Sequence, residues 1–174
     1  MRAFIAIEPD RRFVDEVADV SRRLRAVIDA RYVPRRNYHV TLAFLGEITE
    51  ARVRDAIACM DGLDVPSPIA LRPDGIGKFG RPRNATLWMG LSKTPEVMGS
   101  HELLCDSFKA AGIDLDEKPF VPHITLARHA RIPDVELPPL SFPQTANARS
   151  ITLFRSILTK DGAVYKPLHS IACS

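Results

Sequence analysis

Residues 37–47 read NYHVTLAFLGE and residues 122–128 read PHITLAR, so the sequence His-x-Thr-Leu occurs twice in this chain of 174 residues. The two histidines, His39 and His123, lie 123 − 39 = 84 positions apart. Each motif stands in a run of β-branched and apolar residues, which is typical of a strand. Side chains alternate between the two faces of a strand, so the histidine and the threonine of each motif share one face. The pattern predicts two strands that each present an imidazole and a hydroxyl.

The same offset of 84 residues aligns segments outside the motifs. It places a predicted strand over residues 2–8 on one over Thr86–Leu91, and a predicted first helix on one over about Pro95–Ala111. The apolar positions of the two helices coincide, except that Val17 falls on His101. The aligned residues are Phe13 with Val97, Val14 with Met98, Val20 with Leu104 and Leu24 with Phe108, and on the strands Phe4 aligns with Trp88. This agreement predicts a duplicated unit whose two halves, related by an approximate twofold axis, bring both motifs to one cleft.

Regular alternation along the two motif strands makes a further prediction. It puts Leu42 and Phe44 on the face away from His39. It also puts Arg128, five positions after His123, on the face away from that histidine. A role for Arg128 in the cleft therefore requires a bend or an edge position.

The remaining elements follow from apolar periodicity and from turn residues. The predicted elements are a first helix that opens after Asp10 with apolar spacing up to Ile28, a strand over Tyr38–Leu45, a helix after Thr49 with Val53, Ile57 and Met60 inward, short extended stretches between residues 66 and 82, a proline-rich loop over Pro133–Pro143, and a hairpin of residues 146–158 and 163–173 around Lys160-Asp161-Gly162.

Two histidines and two threonines on one surface suit the cleavage of a phosphodiester. One imidazole can accept a proton from the incoming oxygen while the other donates one to the departing oxygen, because an unperturbed pKa near ~6.5 lets both forms coexist. The hydroxyls of Thr41 and Thr125 can donate to the non-bridging oxygens, where negative charge gathers. This chemistry requires no metal, and neither histidine has a Cys, Asp or Glu at zinc-ligand spacing. Two equivalent copies favour a catalytic role over a structural one.

The two motifs, the opening FIAI of residues 4–7 and the tail residues Leu158, Gly162, Tyr165 and Leu168 resemble one known family. It is the RNA 2′,3′-cyclic phosphodiesterase family, also called bacterial and archaeal 2′–5′ RNA ligase, of the two-histidine phosphoesterase superfamily. The resemblance covers the whole chain and implies a single bilobal domain over residues 1–174. It implies an α+β fold of two similar lobes, with mostly antiparallel sheets lining a central cleft and helices outside.

The resemblance also implies an activity and residue roles. The activity is metal-independent hydrolysis of a terminal 2′,3′-cyclic phosphate of RNA to a 2′-phosphate, with 2′–5′ ligation as an accompanying reaction. His39 is then the general acid and His123 the general base, whereas the residues alone leave these two roles interchangeable. Arg128 stands where the family carries an arginine, so it is expected to bind the substrate phosphate or to stack on a base. Phe4 and Trp88 can form a wall for a base or can serve as core residues.

Composition limits the other classes of function. The net charge is 24 − 21 = +3 and the isoelectric point is near 8.9, which suits a phosphate-bearing substrate without indicating long nucleic-acid binding. No apolar run approaches the ~20 residues that span a membrane. Three scattered cysteines, Cys59, Cys105 and Cys173, are typical of reduced thiols. We expect a cytoplasmic monomer that needs no cofactor.

Two alternatives stay open on the sequence. The same cleft can belong to a non-catalytic module that binds RNA ends, or to a phosphodiesterase acting on another cyclic or 2′–5′ linked nucleotide. The motifs recognise only the phosphate, so they do not choose between substrates. Basic residues predicted in loops can steer RNA toward the cleft or can be ordinary solvated charges; they are Arg35, Arg36, Lys78, Arg81 and Arg83.

Overall fold

The computed structural model describes residues 1–134 and 136–173, which form nine strands and three α-helices of an α+β fold. The strands are β1 (Arg2–Pro9), β2 (Asp29–Tyr32), β3 (Val40–Glu47), β4 (Ala70–Leu71), β5 (Pro73–Arg81), β6 (Asn84–Leu91), β7 (His123–Arg131), β8 (Ala146–Thr159) and β9 (Gly162–Ala172). The helices are α1 (Arg11–Arg25), α2 (Glu50–Asp61) and α3 (Pro95–Ala110), and a short 3-10 turn covers Arg35–Asn37. Val135, in the predicted loop Pro133–Pro143, and Ser174 lie outside the described residues.

The strands pair antiparallel throughout, in the order β4-β8-β1-β3-β7-β6-β5, with β9 added to β8 and β2 added to β7. β3 and β7 meet at a single residue pair, Val40 with Ile124. The sheet therefore divides at this pair into a first lobe (β1, β3, β4, β8 and β9) and a second lobe (β2, β5, β6 and β7). The predicted bilobal α+β architecture is confirmed.

The same strand-helix-strand unit occurs twice along the chain, as β1-α1-β3 and as β6-α3-β7. The helices begin 95 − 11 = 84 positions apart, and so do their N-caps, Asp10 and Thr94. Each cap side chain accepts a hydrogen bond from the backbone N–H three residues on, which satisfies a donor that the helix leaves free. Most of the aligned helix residues are fully buried, with Phe13, Val97, Val20, Leu104, Leu24 and Phe108 all at 0% exposure. The offset of 84 therefore describes a repeat of the helices and of the motif strands. The strands before the helices differ by 89 − 7 = 82 instead, because Ile7 pairs with Val40 and Met89 pairs with Ile124.

β1 separates the core from the cleft. Ile5 and Ile7 are 0% exposed and join the main core, which also contains the buried faces of the helices. Phe4 and Ala6 point the other way and form a small separate cluster with Phe154 and the partly buried Tyr165. The helices therefore cover one face of the first lobe, and the opposite face is left for the functional site.

The chain after α1 differs from the prediction. The helix ends at Arg25, so Val27 and Ile28 are not helical. Ile28 is nevertheless only 2% exposed, because the chain turns and returns it to the core; this is why the apolar spacing continued beyond the helix. β2 follows and was not predicted, since its sequence DARY is polar and its pairing with β7 is distant in sequence.

Other boundaries shift by a few residues. The first motif strand begins at Val40 rather than Tyr38, so His39 lies immediately before it. β5 is one strand of nine residues where short stretches were expected. On α2, Met60 is fully buried as predicted, whereas Val53 and Ile57 are only partly buried at the edge of the core.

Candidate active site

The single pair between β3 and β7 brings the two motifs together. Val40 and Ile124 are both 0% exposed, so their side chains point into the core and those of the residues on either side of them point to the cleft. Because the strands are antiparallel, His39 lies beside Thr125 and Thr41 lies beside His123. Two imidazoles and two hydroxyls therefore share one small surface where the lobes meet.

Backbone carbonyls fix the orientation of both imidazoles. Nδ1 of His39 is 2.7 Å from the carbonyl oxygen of Asn37, and Nδ1 of His123 is 2.5 Å from that of Val121. A carbonyl oxygen only accepts, so Nδ1 carries the hydrogen in each ring and donates it. In the neutral rings Nε2 is then an acceptor, and that of His39 accepts from the Thr41 hydroxyl at 3.0 Å. Both Nε2 atoms are the ones available to exchange protons with a ligand.

Burial sets the charge of both histidines. It lowers the pKa of His39 to about 4, against the smaller raising effect of the hydrogen bond to Asn37. It also lowers the pKa of His123, again against a hydrogen bond to the backbone, here at Val121. The positive charge of Arg128 lowers the pKa of both. In the free protein near pH 7, both rings are neutral.

A β-bulge corrects the prediction for Phe44. Thr41 pairs with Ala6 but Ala43 pairs with Ile5, so Leu42 is an extra residue in β3. Leu42 and Ala43 are consecutive and both buried, at 3% and 6% exposure. Alternation is therefore shifted by one, and Phe44 points to the cleft side with 49% of its surface exposed. The prediction that Phe44 packs on the face away from His39 was wrong.

A bulge at the equivalent place in β7 brings Arg128 to the cleft. Thr125 pairs with Trp88 and Ala127 with Leu87, so Leu126 is the extra residue. Leu126 and Ala127 are both 0% exposed, after which Arg128 is exposed on the side of His123. The bend that a cleft position for Arg128 required is present. Its positive charge acts on both histidines and lowers the pKa of each.

Aromatic rings enclose each histidine. The centroids of Phe4 and Tyr165 lie 5.0 and 5.2 Å from that of His39. Those of Phe79 and Trp88 lie 5.1 and 5.6 Å from that of His123. Phe4 and Trp88 thus both border the site, although Trp88 pairs with Thr125 as Ala6 pairs with Thr41, so the structural counterpart of Trp88 is Ala6 rather than Phe4. The first half-site consists of His39, Thr41, Phe44, Phe4 and Tyr165, and the second of His123, Thr125, Arg128, Trp88 and Phe79.

Comparison with known proteins decides the family. The model of the 2′-5′ RNA ligase superfamily matches residues 13–153, which is most of the chain. This chain belongs to the 2′-5′ RNA ligase superfamily. The resemblance that the two motifs indicated is thereby confirmed.

Individual members of the superfamily are similar over nearly the whole chain. An RNA 2′,3′-cyclic phosphodiesterase of Thermotoga maritima is 30% identical over 97% of this chain and 94% of its own length. The crystal structure of a Thermus thermophilus protein superposes with a TM-score of 0.83 at 28% identity, over 99% of this chain and 98% of its own. That of Escherichia coli LigT complexed with 3′-AMP gives a TM-score of 0.81 at 26% identity over the same shares.

In this member of the 2′-5′ RNA ligase superfamily, Glu8, Arg31 and Phe79 were not predicted as site residues from the sequence. Tyr165 was identified only as a residue of the tail. Glu8 ends the face of β1 that carries Phe4 and Ala6, and this spacing of two was an available signal. Arg31 pairs with Arg128 across β2 and β7, and Phe79 pairs with Thr86 across β5 and β6. These placements depend on strand pairings that no local pattern reveals.

His101 and Arg35 lie outside the site, with polar contacts of their own. His101 donates through Nδ1 to the carbonyl oxygen of Leu42 at 2.9 Å and stacks on Phe120, so it ties α3 to β3. Arg35 pairs with Asp15 at 2.6 Å, and Lys78 and Arg81 lie on β5 rather than in a loop.

Two features are absent from residues 1–134 and 136–173. No group of three or more His, Cys, Asp or Glu side chains there is placed to hold a metal ion. Over the same residues, no helix has the length and apolar character needed to cross a membrane.

Proposed function

We propose that this chain hydrolyses terminal 2′,3′-cyclic phosphates of RNA to 2′-phosphomonoesters without a metal, and that residues 1–174 act as one bilobal domain. The observation that carries the proposal is the meeting of two His-x-Thr pairs beside the Val40–Ile124 strand pair. The relative from Thermotoga maritima, named an RNA 2′,3′-cyclic phosphodiesterase and similar over 97% of this chain, supports the substrate class.

The reaction needs one proton acceptor and one proton donor. In the roles that the family resemblance implies, Nε2 of His123 accepts a proton from water, and the water oxygen attacks phosphorus. The bond between phosphorus and O3′ breaks, and Nε2 of His39 donates a proton to O3′. The product carries the phosphate on O2′ and a free hydroxyl on O3′. Thr41 and Thr125 donate hydrogen bonds to the non-bridging oxygens, whose charge grows in the transition state.

In the free protein both rings are neutral, which suits the general base. The general acid needs a proton that it gains only when substrate binds. A neutral His123 is ready to act as a base. His39 must gain a proton before it can act as an acid, and burial opposes this in the free protein. A phosphate anion held against the ring favours the imidazolium form, so substrate binding is coupled to proton uptake.

Two arginines supply the positive charge that attracts the substrate phosphate. Arg31 and Arg128 are direct neighbours on paired strands, and neither forms an ion pair with another described residue. Like charges opposite each other destabilise a sheet, and an anion bound between them removes that cost. Arg128 lies near both histidines and is proposed to hold the reacting phosphate, whereas Arg31 extends the basic surface toward the rest of an RNA strand.

The same site can join RNA ends. When the 5′-hydroxyl of a second RNA replaces water, the attack on phosphorus yields a 2′–5′ linkage and leaves the same O3′ hydroxyl. His123 and His39 keep their roles, because only the nucleophile changes. We propose 2′–5′ ligation as an accompanying reaction that competes with hydrolysis.

Phosphorus NMR of an RNA oligonucleotide with a 2′,3′-cyclic phosphate end, incubated with the protein and EDTA, tests the proposal. The expected result is one new signal, that of the 2′-phosphomonoester. A reaction that stops with EDTA and resumes with a divalent cation overturns metal independence, and a 3′-phosphate product overturns the roles of the leaving oxygens.

Other outcomes select the alternatives. Saturable binding of the RNA end without product favours a binding module. Faster turnover of another cyclic nucleotide, or of a 2′–5′ linked dinucleotide, changes the substrate class and keeps the site. The free thiols of Cys59, Cys105 and Cys173 support the proposed cytoplasmic location, and sedimentation analysis tests the proposed monomer.

A further inference from the structure

Glu8 lies beside His39 on the cleft face of the first lobe. Ile7 pairs with Val40 across β1 and β3, and both side chains are 0% exposed in the core. The next residues along the two antiparallel strands, Glu8 and His39, therefore come side by side on the opposite face. No role in catalysis is assigned to Glu8 by the chemistry described so far.

The Glu8 carboxylate is held as a fixed negative charge. Its Oε2 accepts hydrogen bonds from the hydroxyls of Ser150 and Thr152, both at 2.7 Å. Thr152 is 0% exposed and lies 2.7 Å from the Ser170 hydroxyl, so the network reaches across β8 to β9. Oε1 lies 3.3 Å from the exposed Arg149 guanidinium. Every polar group that contacts the Glu8 carboxylate is a hydrogen-bond donor, which suits its negative charge.

The second half-site has no such charge. In β6 the residue that pairs with His123 is Gly90, so Gly90 occupies the place that Glu8 has beside His39. Besides Glu8, the ionisable groups that face His39 are His123 and Arg128 of β7 and Tyr165 of β9. Burial is the largest influence on the pKa of His39 and lowers it, and among the charged neighbours Glu8 alone raises it. For His123 the charge that acts is Arg128, which lowers its pKa.

We propose that Glu8 is a positioning residue whose fixed negative charge places the proton on His39, rather than on His123, when the substrate phosphate binds. The phosphate lies between both rings and favours protonation of either one. Arg128 opposes protonation of both rings, whereas Glu8 favours protonation of His39 alone. The carboxylate thus gives two copies of one motif different protonation states. Its consequence for catalysis rests on the proposed function, but the location of the proton does not.

Two substitutions with opposite expected effects test the proposal. Glu8→Gln removes the charge and keeps an acceptor for Ser150 and Thr152, so His39 should lose its proton at lower pH. Arg149→Gln removes the partner that partly neutralises Glu8, so His39 should hold its proton to higher pH. Glu47→Gln, a change of an exposed carboxylate at the far end of β3, is the matched control and should shift neither histidine.

Histidine ring NMR titrations in the presence of inorganic phosphate provide the first measurement. We expect the His39 midpoint to move down by about half a unit in Glu8→Gln and up in Arg149→Gln, with the His123 midpoint nearly unchanged. Shifts in the same direction in the two variants, or an unchanged His39, overturn the proposal. Arg149 is a surface residue, so its variant keeps the test valid even if Glu8→Gln does not fold.

The pH profile of kcat provides the second measurement. The alkaline limb, where the acid loses its proton, should move down in Glu8→Gln and up in Arg149→Gln, while KM changes little. A purely structural role would lower activity in both variants without moving the limb. If the wild-type protein hydrolyses no cyclic phosphate, the proposed function fails, whereas the NMR titration still decides where the proton lies.

Discussion

The half-site around His39 and the half-site around His123 are built from the same repeated unit, yet they differ at equivalent positions. Phe44 of the first lobe stands where Arg128 stands in the second, since 128 − 44 = 84, and Glu8 stands beside His39 where Gly90 stands beside His123. The first half-site is therefore apolar with one carboxylate nearby, and the second is cationic. Both motif strands contain the bulge, so the same backbone geometry presents a phenyl ring in the first half-site and a guanidinium in the second.

This difference shows how a duplicated fold can perform an unsymmetrical reaction. Hydrolysis needs one acid and one base, but duplication alone supplies two equal imidazoles. Substitution at a few aligned positions changes the field around each ring without moving the ring itself. The shared Nδ1 hydrogen bonds to the carbonyls of Asn37 and Val121 keep the geometry equal, while Glu8, which acts on His39 alone, makes the electrostatics unequal.

Removal of either histidine should give the largest effect. We expect His39→Ala and His123→Ala each to lower kcat by about 10³-fold, because each loses a proton-transfer group. His169→Ala, at a histidine that pairs with Asp61 away from the cleft, is the control and should retain activity. A nucleotide ester with a 4-nitrophenolate leaving group needs no acid, so it should restore turnover in His39→Ala more than in His123→Ala. Equal recovery of turnover in the two variants would contradict the assignment of His39 as the acid and His123 as the base.

The two threonines should have the next largest effect. Thr41→Val and Thr125→Val remove a hydroxyl at nearly constant volume, and each is expected to lower kcat by about 10²-fold through lost stabilisation of the transition state. The Thr41 hydroxyl also donates to Nε2 of His39, and protonation of that ring releases it to the phosphate. Steady-state kinetics of both variants, with Thr→Ser as the control that retains the hydroxyl, check this. An unchanged kcat in either valine variant contradicts its role.

The pH dependence of stability should separate the two histidines. His39 has a pKa of about 4 in the folded chain against 6.5 for the free side chain, so the unfolded state binds more protons between these values. The free energy of unfolding should therefore rise as pH increases from about 4 to 6.5, by an amount of the order of 2 kcal/mol from this residue. Urea unfolding at pH 5 and pH 7 measures it. His39→Gln should remove more of the difference than His123→Gln, and the reverse order would contradict the deeper burial of His39.

Much of this site follows from local sequence. The motifs, their strands and the repeat offset are local or repeated patterns, and they place His39, Thr41, His123 and Thr125 correctly on one surface. The bulges also left a trace, because Leu-Ala follows each His-x-Thr and two adjacent buried residues break regular alternation. Arg128 at an inward position indicated a bend in β7, whereas Phe44 gave no such signal because a phenylalanine is acceptable in a core.

The surroundings of the motifs depend on pairings that the sequence does not encode locally. Glu8 meets Ser150 because β1 pairs with a strand more than a hundred residues away. Tyr165 reaches His39 through β9, which is two strands from β1 in the sheet order. β2 is short and polar and is a strand only because β7 offers it an edge. Such contacts arise from the assembled sheet, so neither periodicity nor composition predicts them.

Arg128 and Phe44 should differ in how they affect substrate binding. Arg128→Met removes the charge but keeps an unbranched side chain, and we expect KM to rise about tenfold as a phosphate contact is lost. The increase should be smaller at high salt, since screening already weakens that contact in the wild type. Phe44→Met, at the aligned position, should change KM little and without dependence on salt. A salt-dependent effect at Phe44, or none at Arg128, would remove the contrast between the half-sites.

His129 should have the smallest effect, and it tests how the second bulge aims Arg128. Its φ of 53° is in the left-handed region, which costs about 1 kcal/mol for a residue other than glycine, while the first lobe places Gly46, with φ of 70°, near the end of its bulge. His129→Gly should relieve this cost, raise the free energy of unfolding by up to about 1 kcal/mol and leave KM unchanged.

His129→Val should destabilise the chain, because a β-branched residue resists this conformation, and should raise KM by misplacing Arg128. The double variant His129→Val/Arg128→Met distinguishes an effect of His129 on the position of Arg128 from a general disturbance of the structure. If His129 acts through Arg128, its KM should equal that of Arg128→Met alone. Additive increases in KM would show instead that His129 supports the cleft independently of Arg128. The bulge would then be a feature of the sheet that does not serve to position the arginine.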